Sequence, residues 1–266
     1  IRDPEMSRGL GDVYKRQLSY THNKEKIVNL PDGDLVAKKL FEGYPIKTFY
    51  DYKYAGIWST AEADEAAKYG CQPGYVKIET VEQFTTDENG NLVGDGGVHT
   101  YSNTRDLQIL GSNVPDGIVG LNNIFTYKGI ELSAFAIIRY GQMIDSKTIG
   151  WYSTKNDNQP RGTNYWTPEN QNTYFPRPGI ASTTGIESLR YIDGSYAKIK
   201  NVTLGYVLPK KICKTLGIGK CRVYATAYNV FVLPFKSELK HTDPENNGSD
   251  TFPLYKSYLI GLNLSF

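Results

Sequence analysis

The sequence predicts an all-β protein, a segment of an antiparallel transmembrane β-barrel with about seven strands, open as it stands. Short segments of alternating polarity are joined in pairs by short turns, and long polar connections separate the pairs. The clearest segment ends the chain, where every second residue is apolar: Tyr258, Ile260, Leu262, Leu264 and Phe266. Such a strand suits a wall between lipid and a wet lumen, although alternation is also common in soluble antiparallel sheets.

Composition excludes several other classes. The chain has 266 residues and a formal net charge of +2, which is too small to indicate a nucleic-acid partner. No run of eighteen apolar residues is present, so a transmembrane helix is excluded. A barrel wall needs apolar residues only at alternate positions, and it remains compatible with this polar composition.

The predicted strands fall into three pairs and a final strand. They span residues 18–29, 46–58, 118–127, 131–144, 189–208, 222–233 and 255–266. A turn at Pro31-Asp32-Gly33 is expected to join the first pair, and Lys128-Gly129 forms a tight hairpin in the second. We expect strands to pair with their neighbours in the sequence.

Long connections are predicted at about residues 59–115, 150–187 and 234–253. Counting back from Phe266, every long connection falls on one side of the sheet and every short turn on the other. This is the sidedness of an outer-membrane barrel, whose loops are extracellular and whose turns are periplasmic. Seven strands cannot close a barrel, so we expect the remaining strands to come from residues outside this chain.

Residues 1–17 are expected to lie outside the folded domain, which would span residues 18–266. Residues 12–17 read Asp-Val-Tyr-Lys-Arg-Gln, which GAT-GTG-TAT-AAG-AGA-CAG encodes and which matches a transposon adapter used in sequencing libraries. A translated adapter was never selected to pack, so this segment is predicted to be unstructured. The alternative is a natural polar segment.

No residue pattern indicates catalysis. His22, His99 and His241 are scattered, and no metal-binding or nucleophile motif is present. We therefore assign no catalytic residues, no metal and no cofactor, and expect no enzyme. A calcium loop at residues 87–95 is disfavoured because it lacks the required glycine and glutamate. Cys213 and Cys221 flank one predicted turn, and either a disulfide or two free thiols is compatible with the sequence.

Four blocks, in order, resemble the C-terminal region of SusC/RagA-type TonB-dependent outer-membrane transporters of Bacteroidetes. They are residues 42–58 (EGYPIKTFYDYKYAGIW), residues 110–132 with the run FTYKGIEL, residues 165–178 with the run YWTPEN, and residues 188–266. The resemblance covers essentially everything after residue 17. Differences from the family pattern, at residues 87–95 and at Val114-Pro-Asp116, concern loops.

The resemblance implies a 22-stranded barrel in the outer membrane of a bacterium, crossing it many times, with a plug and a TonB-contacting segment in its missing N-terminal part. Such a protein actively imports glycans or peptides together with a SusD-like lipoprotein. This chain would supply the C-terminal barrel portion. The alternative function is a soluble all-β carbohydrate-binding module.

The candidate ligand contacts lie in one predicted extracellular loop. Tyr165, Trp166 and Tyr174 are positioned to stack on sugar rings, and Asn170 is a polar partner. The alternative is that the Thr-Pro-Glu-Asn and Pro-Arg-Pro runs fix the loop and help it to pack. A motif shared by relatives with many substrates favours this packing role.

Overall fold

A computed structural model describes residues 13–102, 104–150, 162–180, 184–250, 252 and 254–266. Over these residues the chain forms thirteen strands: β1 (Val13–Thr21), β2 (Thr48–Ile57), β3 (Val76–Glu79), β4 (Phe84–Thr86), β5 (Leu92–Gly94), β6 (Leu107–Ser112), β7 (Gly117–Tyr127), β8 (Ile130–Tyr140), β9 (Met143–Asp145), β10 (Tyr191–Asp193), β11 (Tyr196–Val207), β12 (Lys220–Pro234) and β13 (Ser257–Ser265). Three short α-helices are α1 (Ala63–Lys68), α2 (Lys147–Gly150) and α3 (Lys210–Thr215). Single turns of 3-10 helix lie at Val36–Lys38, Thr60–Glu62, Ile186–Arg190, Ser237–Leu239 and Pro244–Asn246.

Six long strands form the main sheet, in the order β1-β7-β8-β11-β12-β13, and every neighbouring pair is antiparallel. The predicted all-β, antiparallel class is therefore confirmed, while closure into a barrel is not visible in a sheet with two open edges. The sheet contains six strands rather than the expected seven.

The turn between β7 and β8 has the residues that its geometry requires. Lys128 has φ 46° and Gly129 has φ 88°, so both central residues are left-handed, as in the tight turns that match strand twist. Tyr127 pairs with Ile130 directly beyond this turn. The predicted two-residue hairpin is confirmed.

The long and the short connections lie at opposite ends of the strands of the main sheet. The three long ones are residues 22–116, 141–195 and 235–256, here called the first, second and third connections. The short ones are residues 128–129 and 208–219, and the last residue of β13 lies on their side. The sidedness expected from the sequence is therefore present.

The predicted pairing of the first two strands is wrong. β1 pairs with β7, whereas β2 lies within the first connection and pairs with β3 and β6. The chain after Thr21 does not turn back at Pro31-Asp32-Gly33 to form a hairpin. Alternation shows that a segment is extended, but β2 has the same period as a wall strand, so its partner could not be read from it.

The hydrophobic core lies in the three connections and not against the main sheet. One cluster contains Ile144, Ile149, Leu189, Ile192 and Leu239, from the second and third connections. A second contains Trp58, Ala66 and Cys71, from the first. Among the buried apolar residues of the described chain, Tyr196 and Cys221 are the two within the six long strands. We call these three packed connections the loop body.

The expectation that residues 1–17 are unstructured is wrong for residues 13–17, while residues 1–12 lie outside the described residues. Residues 13–17 belong to β1 and continue the ladder with β7, where Arg16 pairs with Asn123 and Gln17 with Asn122. Strand pairing uses backbone groups, so it needs no selected side-chain fit. Tyr14 remains 55% exposed, and the adapter origin of the segment stays a prediction.

The cysteines form no disulfide within the described residues. Cys71, Cys213 and Cys221 are free and buried, and the thiol of Cys213 contacts the carbonyl oxygen of Leu208. The pairing of Cys213 with Cys221 is therefore absent here. Within the described residues, no helix has the length and apolarity needed to cross a membrane.

Candidate functional site

One face of the main sheet is apolar, and none of the described elements covers it. Alternation along each strand and the observed register place every second residue of the six strands on this face, and the alternation in β11 shifts by one residue at the irregularity between Ile199 and Asn201. Its large exposed side chains are Tyr14, Leu18, Tyr20, Phe125, Tyr127, Ile130, Leu132, Ile138, Leu204, Tyr206, Val223, Phe231, Leu233, Tyr258, Ile260, Leu262, Leu264 and Phe266. Arg16 and Asn123, which are hydrogen-bonded to each other, interrupt it. We call this surface the apolar face.

The height of the apolar face matches a hydrocarbon layer. It runs along β8 from Ile130 to Tyr140, ten residue steps. At about 3.3 Å per residue this is about 33 Å, or about 25 Å once a strand tilt of about 40° is included. Tyr127 and Tyr206 lie at the short-turn edge, and Tyr20 and Tyr140 at the other, where their hydroxyls are 3.1 Å apart. Aromatic residues at both borders are typical of membrane interfaces.

The last strand follows the prediction for its side chains. Tyr258 is 79% exposed, Ile260 84%, and Phe266 93%, and Leu262 and Leu264 are exposed as well. They continue the apolar stripe of β12, since Leu262 pairs with Val223 and Ile260 with Ala225. That these five residues contact lipid stays a prediction.

The opposite face, here called the polar face, is lined by hydrogen-bonding groups. Thr203 and Thr226 share a hydroxyl–hydroxyl hydrogen bond of 2.9 Å across β11 and β12. Near β1, an open depression of about 350 Å³ is lined mostly by polar side chains and a glycine: Gln17, Ser19, Gly120, Asn122, Phe135 and Asn201. A surface of this kind suits water rather than lipid.

The third connection is fastened to the polar face by a buried cation. Lys198 on β11 is 2% exposed, and its Nζ donates to Asp243 Oδ2 at 2.5 Å and Glu245 Oε2 at 2.6 Å. Lys200 donates to the other oxygen of Glu245. Burial raises the pKa of Glu245, but the hydrogen bonds from Lys198 and Lys200 outweigh this effect and hold the pKa below its usual value. The Glu245 carboxylate is therefore held charged against Lys198.

The second connection joins the third through the backbone of Lys147 and Gly248, beside a cluster of ion pairs within the second connection. Arg190 donates from Nη2 to Asp145 Oδ2 at 3.0 Å, and Lys147 Nζ approaches the same carboxylate at 2.6 Å. The backbone N–H of Lys147 donates to the Gly248 carbonyl at 2.9 Å. A Cβ at Gly248 would lie 2.3 Å from the Asp145 carbonyl oxygen, so glycine permits this approach.

The four predicted ligand-contact residues lie close in the chain but have different surroundings. Trp166 is 2% exposed and packs on Gly74, where a Cβ would lie 2.8 Å from the indole ring. Its ring therefore offers no open face to a ligand. Asn170 donates to Asn164 Oδ1 at 2.7 Å and helps to close the turn, while Tyr165 is 43% exposed. Ligand contact by this block stays a prediction.

Tyr174, the fourth of these residues, belongs to the centre of the loop body. Its hydroxyl donates to the Leu189 carbonyl at 2.5 Å, and its ring lies 4.9 Å from that of Tyr54. The Tyr54 hydroxyl in turn donates to the Tyr174 carbonyl at 3.0 Å. Burial raises the pKa of both phenols, so they remain protonated donors.

A cleft at this position was not anticipated from the sequence. It has a volume of about 370 Å³ and is lined by residues of all three connections, among them Tyr52, Tyr54, Tyr174, Tyr191, Lys236 and Glu238. No local pattern marks it, because its residues come from segments far apart in the chain and meet only in the fold.

The scattered histidines do not meet. His22 contacts the Asp116 carbonyl oxygen at the foot of the first connection. His99 bridges Asp95 and Asp106, at 2.7 Å and 3.0 Å. In residues 87–95, where a calcium loop was disfavoured, the Asp87 carboxylate accepts hydrogen bonds from the backbone N–H groups of Asn89 and Asn91, as in a simple turn. Within the described residues, no group of three or more metal-ligating side chains is brought together.

The described residues form an antiparallel sheet with one apolar, exposed face and one polar face. All its long connections lie at the same end of its strands. This is the architecture of a β-barrel wall. No family model matches the chain. TonB-dependent receptor P3 of Formosa agariphila is 27% identical over 283 residues, covering 96% of this chain and 27% of that protein. TonB-dependent receptor P26 of the same organism is 27% identical over 290 residues, covering 95% and 27%. The chain thus spans about a quarter of these relatives.

Solved structures agree with these relatives. The structure of the RagAB peptide transporter superposes with a TM-score of 0.70 at 23% identity, over 98% of this chain and 28% of that one. The RagAB peptide importer in its open-open state gives 0.66 at 21% identity, over 98% and 27%. The resemblance predicted from the sequence is confirmed: the chain is homologous to TonB-dependent receptors and has the fold of the matching part of RagAB.

Proposed function

We propose that this chain forms part of the barrel wall of a TonB-dependent active importer in a bacterial outer membrane. The observation that carries the proposal is the apolar face, which extends over all six long strands and is uncovered by any other described element. Burying such a surface in lipid removes it from water, which soluble proteins otherwise achieve with a core. The homology with TonB-dependent receptors supports the same assignment.

The proposal fixes an orientation for the chain. The apolar face contacts lipid and the polar face lines the lumen, with Lys198 on the lumen side. The loop body is extracellular, and the two short connections are periplasmic. The third connection is folded back over the polar face by Asp243 and Glu245, so it narrows the lumen near its outer end.

Transport belongs to the intact protein in this proposal. We infer that it imports glycans or peptides, is capped by a SusD-like lipoprotein, and receives energy from the TonB complex through a part outside this chain. The names of the TonB-dependent receptors support the role of TonB, and the name of the RagAB peptide transporter supports import of peptides. The chain itself has no catalytic role in it.

A soluble carbohydrate-binding module is the less favoured alternative. Such a module would cover its apolar strand face with a second sheet. The small sheets of the loop body are instead β3-β2-β6, β4-β5 and β9-β10, and none pairs with or buries the main sheet's apolar stripe.

Site-directed fluorescence on two adjacent residues of β11 tests the assignment of faces. Leu204→Cys and Thr203→Cys, each labelled with an environment-sensitive dye in the intact protein in lipid vesicles, form a matched pair at one height. We expect the label at 204 to emit at shorter wavelength and to be quenched by nitroxide lipids, and the label at 203 to be quenched by aqueous iodide. The buried native thiols are replaced by alanine in both variants. Equal quenching at the two positions would refute the wall assignment.

A further inference from the structure

The cleft in the loop body has the features of a binding site. It is enclosed by β2 and Leu110 of the first connection, by Met143, Tyr174 and β10 of the second, and by Lys236 and Glu238 of the third. A volume of about 370 Å³ lies in the range of small-ligand pockets. Because all three connections contribute, the cleft exists only when the whole loop body is folded.

The aromatic side of the cleft is fixed before any ligand arrives. The Tyr54 and Tyr174 hydroxyls are both used in hydrogen bonds to backbone carbonyl groups, which hold the two rings in place. Their ring surfaces, together with Leu110 and Met143, supply an apolar lining. Rings held in this way lose little freedom on binding, which favours affinity.

Two charged side chains among the described residues of the cleft have neither an ion pair nor a hydrogen bond. Lys236 and Glu238 form no ion pair within the described residues, whereas Lys53 in the same lining is 2.7 Å from Glu79. The Glu238 carboxylate lies beside the tyrosine pair. Burial is the main cause of the raised pKa of Tyr54 and Tyr174, and the charge of Glu238 raises both further. Asp193 also lines the cleft without an ion pair, but its carboxylate accepts hydrogen bonds from the backbone N–H and the hydroxyl of Ser195. Among the described lining residues, Lys236 and Glu238 are therefore the cation and the anion whose side chains have neither an ion pair nor a hydrogen bond.

An adjoining pocket adds an unused acceptor. It has a volume of about 250 Å³ and shares Leu110, Met143 and Asp193 with the cleft. Gln142 lines it and is 1% exposed; its Nε2 donates to the Gly194 carbonyl, but its Oε1 has no partner among the described residues. A buried acceptor without a donor is costly, so this atom favours a ligand or water that brings an N–H or O–H group.

We propose that the cleft binds a short peptide with free termini, its ammonium group toward Glu238, its carboxylate toward Lys236, and a backbone N–H toward Gln142. A neutral oligosaccharide would stack on the tyrosines but would leave both charges without partners. A peptide supplies both charges, apolar side chains for the lining, and amide donors. The inference rests on the proposed import function, because the bound peptide is the solute to be imported.

The experiment pairs changes in the protein with changes in the ligand. The intact protein that contains this chain is purified in detergent, and calorimetry measures binding of one tetrapeptide in four forms: free, N-acetylated, C-amidated and doubly blocked. A neutral tetrasaccharide is the comparison ligand. We expect each block to weaken binding by about 1.5- to fivefold, the range for exposed charge pairs.

The variants assign each end of the peptide. Glu238→Gln should abolish the effect of N-acetylation but keep that of amidation, and Lys236→Gln should do the reverse. Lys240→Gln, on the same connection but outside the lining, is the control and should keep both effects. Tighter binding of the tetrasaccharide, no saturable peptide binding, or blocking effects that both variants retain would overturn the proposal. Heat-modifiable mobility of the same samples reports barrel insertion separately, so failure of the cleft leaves the wall assignment to its own test.

Discussion

Arg222 donates from its Nε to Glu131 Oε2 at 2.6 Å, although the two residues lie on strands that are not neighbours. β11 runs between them. Gly205 on β11 pairs with Glu131 on β8 and with Tyr224 on β12. Arg222 lies two residues before Tyr224, on the same face of β12. A Cβ at Gly205 would lie 3.0 Å from Arg222 Nη2. The ion pair crosses the middle strand because glycine leaves the polar face open there.

Gly205→Val should displace this ion pair. The added side chain occupies the space of the Arg222 guanidinium group and forces it off Glu131, at a cost of about 1–3 kcal/mol in the free energy of unfolding. Urea unfolding of the intact protein in micelles measures the change. Ala134→Val, on the apolar face of β8, is the control and should change stability by less than about 0.5 kcal/mol. Equal effects of the two variants would show that the glycine has no such role.

The last strand offers a second matched pair. Leu262→Arg places a charge on the apolar face, and we expect it to cost about 2–4 kcal/mol if the position lies near the bilayer midplane. Asn263→Arg points to the polar face, beside Arg222 in the register, and should cost much less. Outer-membrane yield and heat-modifiable mobility report the difference. Equal tolerance of both charges contradicts a lipid-facing stripe.

The wall strands could be predicted from the sequence because their evidence is local. Leu204 and Tyr206 share one face by alternation alone, and Lys128-Gly129 carries the residues of its turn. The predicted bounds lie within four residues of those observed for β7, β8, β12 and β13, whereas β1 begins five residues earlier and ends eight residues earlier than predicted, and β11 begins seven residues later. The sequence left open which face of β8 is uncovered, and register settles this, since Leu132 pairs with Leu204 and Phe125.

The loop body could not be predicted in the same way, since it depends on contacts between distant residues. Trp166 was assigned either to ligand contact or to packing, and its burial is decided by Gly74, in a different connection. One of the two partners of β2 is β6, which lies beyond β5 in the chain. Lys198 reads as one polar residue of an alternating strand, and nothing near it reveals Asp243. Contacts between residues so far apart in the chain leave no repeating pattern in the sequence around either residue.

Lys198→Met should loosen the third connection. It removes the cation that Asp243 and Glu245 share and leaves two carboxylates facing an apolar side chain, which costs about 3–5 kcal/mol when a buried pair is broken. We expect faster amide exchange over residues 235–249 with unchanged protection in β7 and β8. Asp243→Asn is the milder comparison, because Glu245 keeps Lys200 and Lys198 keeps Glu245. Unchanged exchange in Lys198→Met would show that other contacts hold the connection.

The hairpin of β4 and β5 should loosen as pH rises. His99 lies between Asp95 and Asp106, and with a carboxylate at each ring nitrogen it accepts a second proton readily. Although burial opposes charging, hydrogen bonds with Asp106 and Asp95 raise the pKa of His99 above its usual 6.5. A group whose folded pKa is raised stabilises fully below its unfolded pKa, and this contribution is lost as pH rises through the folded value.

Protection factors for residues 80–98, corrected for the intrinsic exchange rate, should therefore fall as pH rises from the usual histidine pKa of 6.5 through the higher folded value. His99→Gln should flatten this dependence, because glutamine does not titrate. Its amide can donate from its nitrogen to one of the two carboxylates but cannot bridge both as the imidazole does. His241→Gln, in the third connection, is the control and should leave the dependence unchanged. The same fall in His99→Gln as in the unmodified protein would show that a group other than His99 causes the pH dependence.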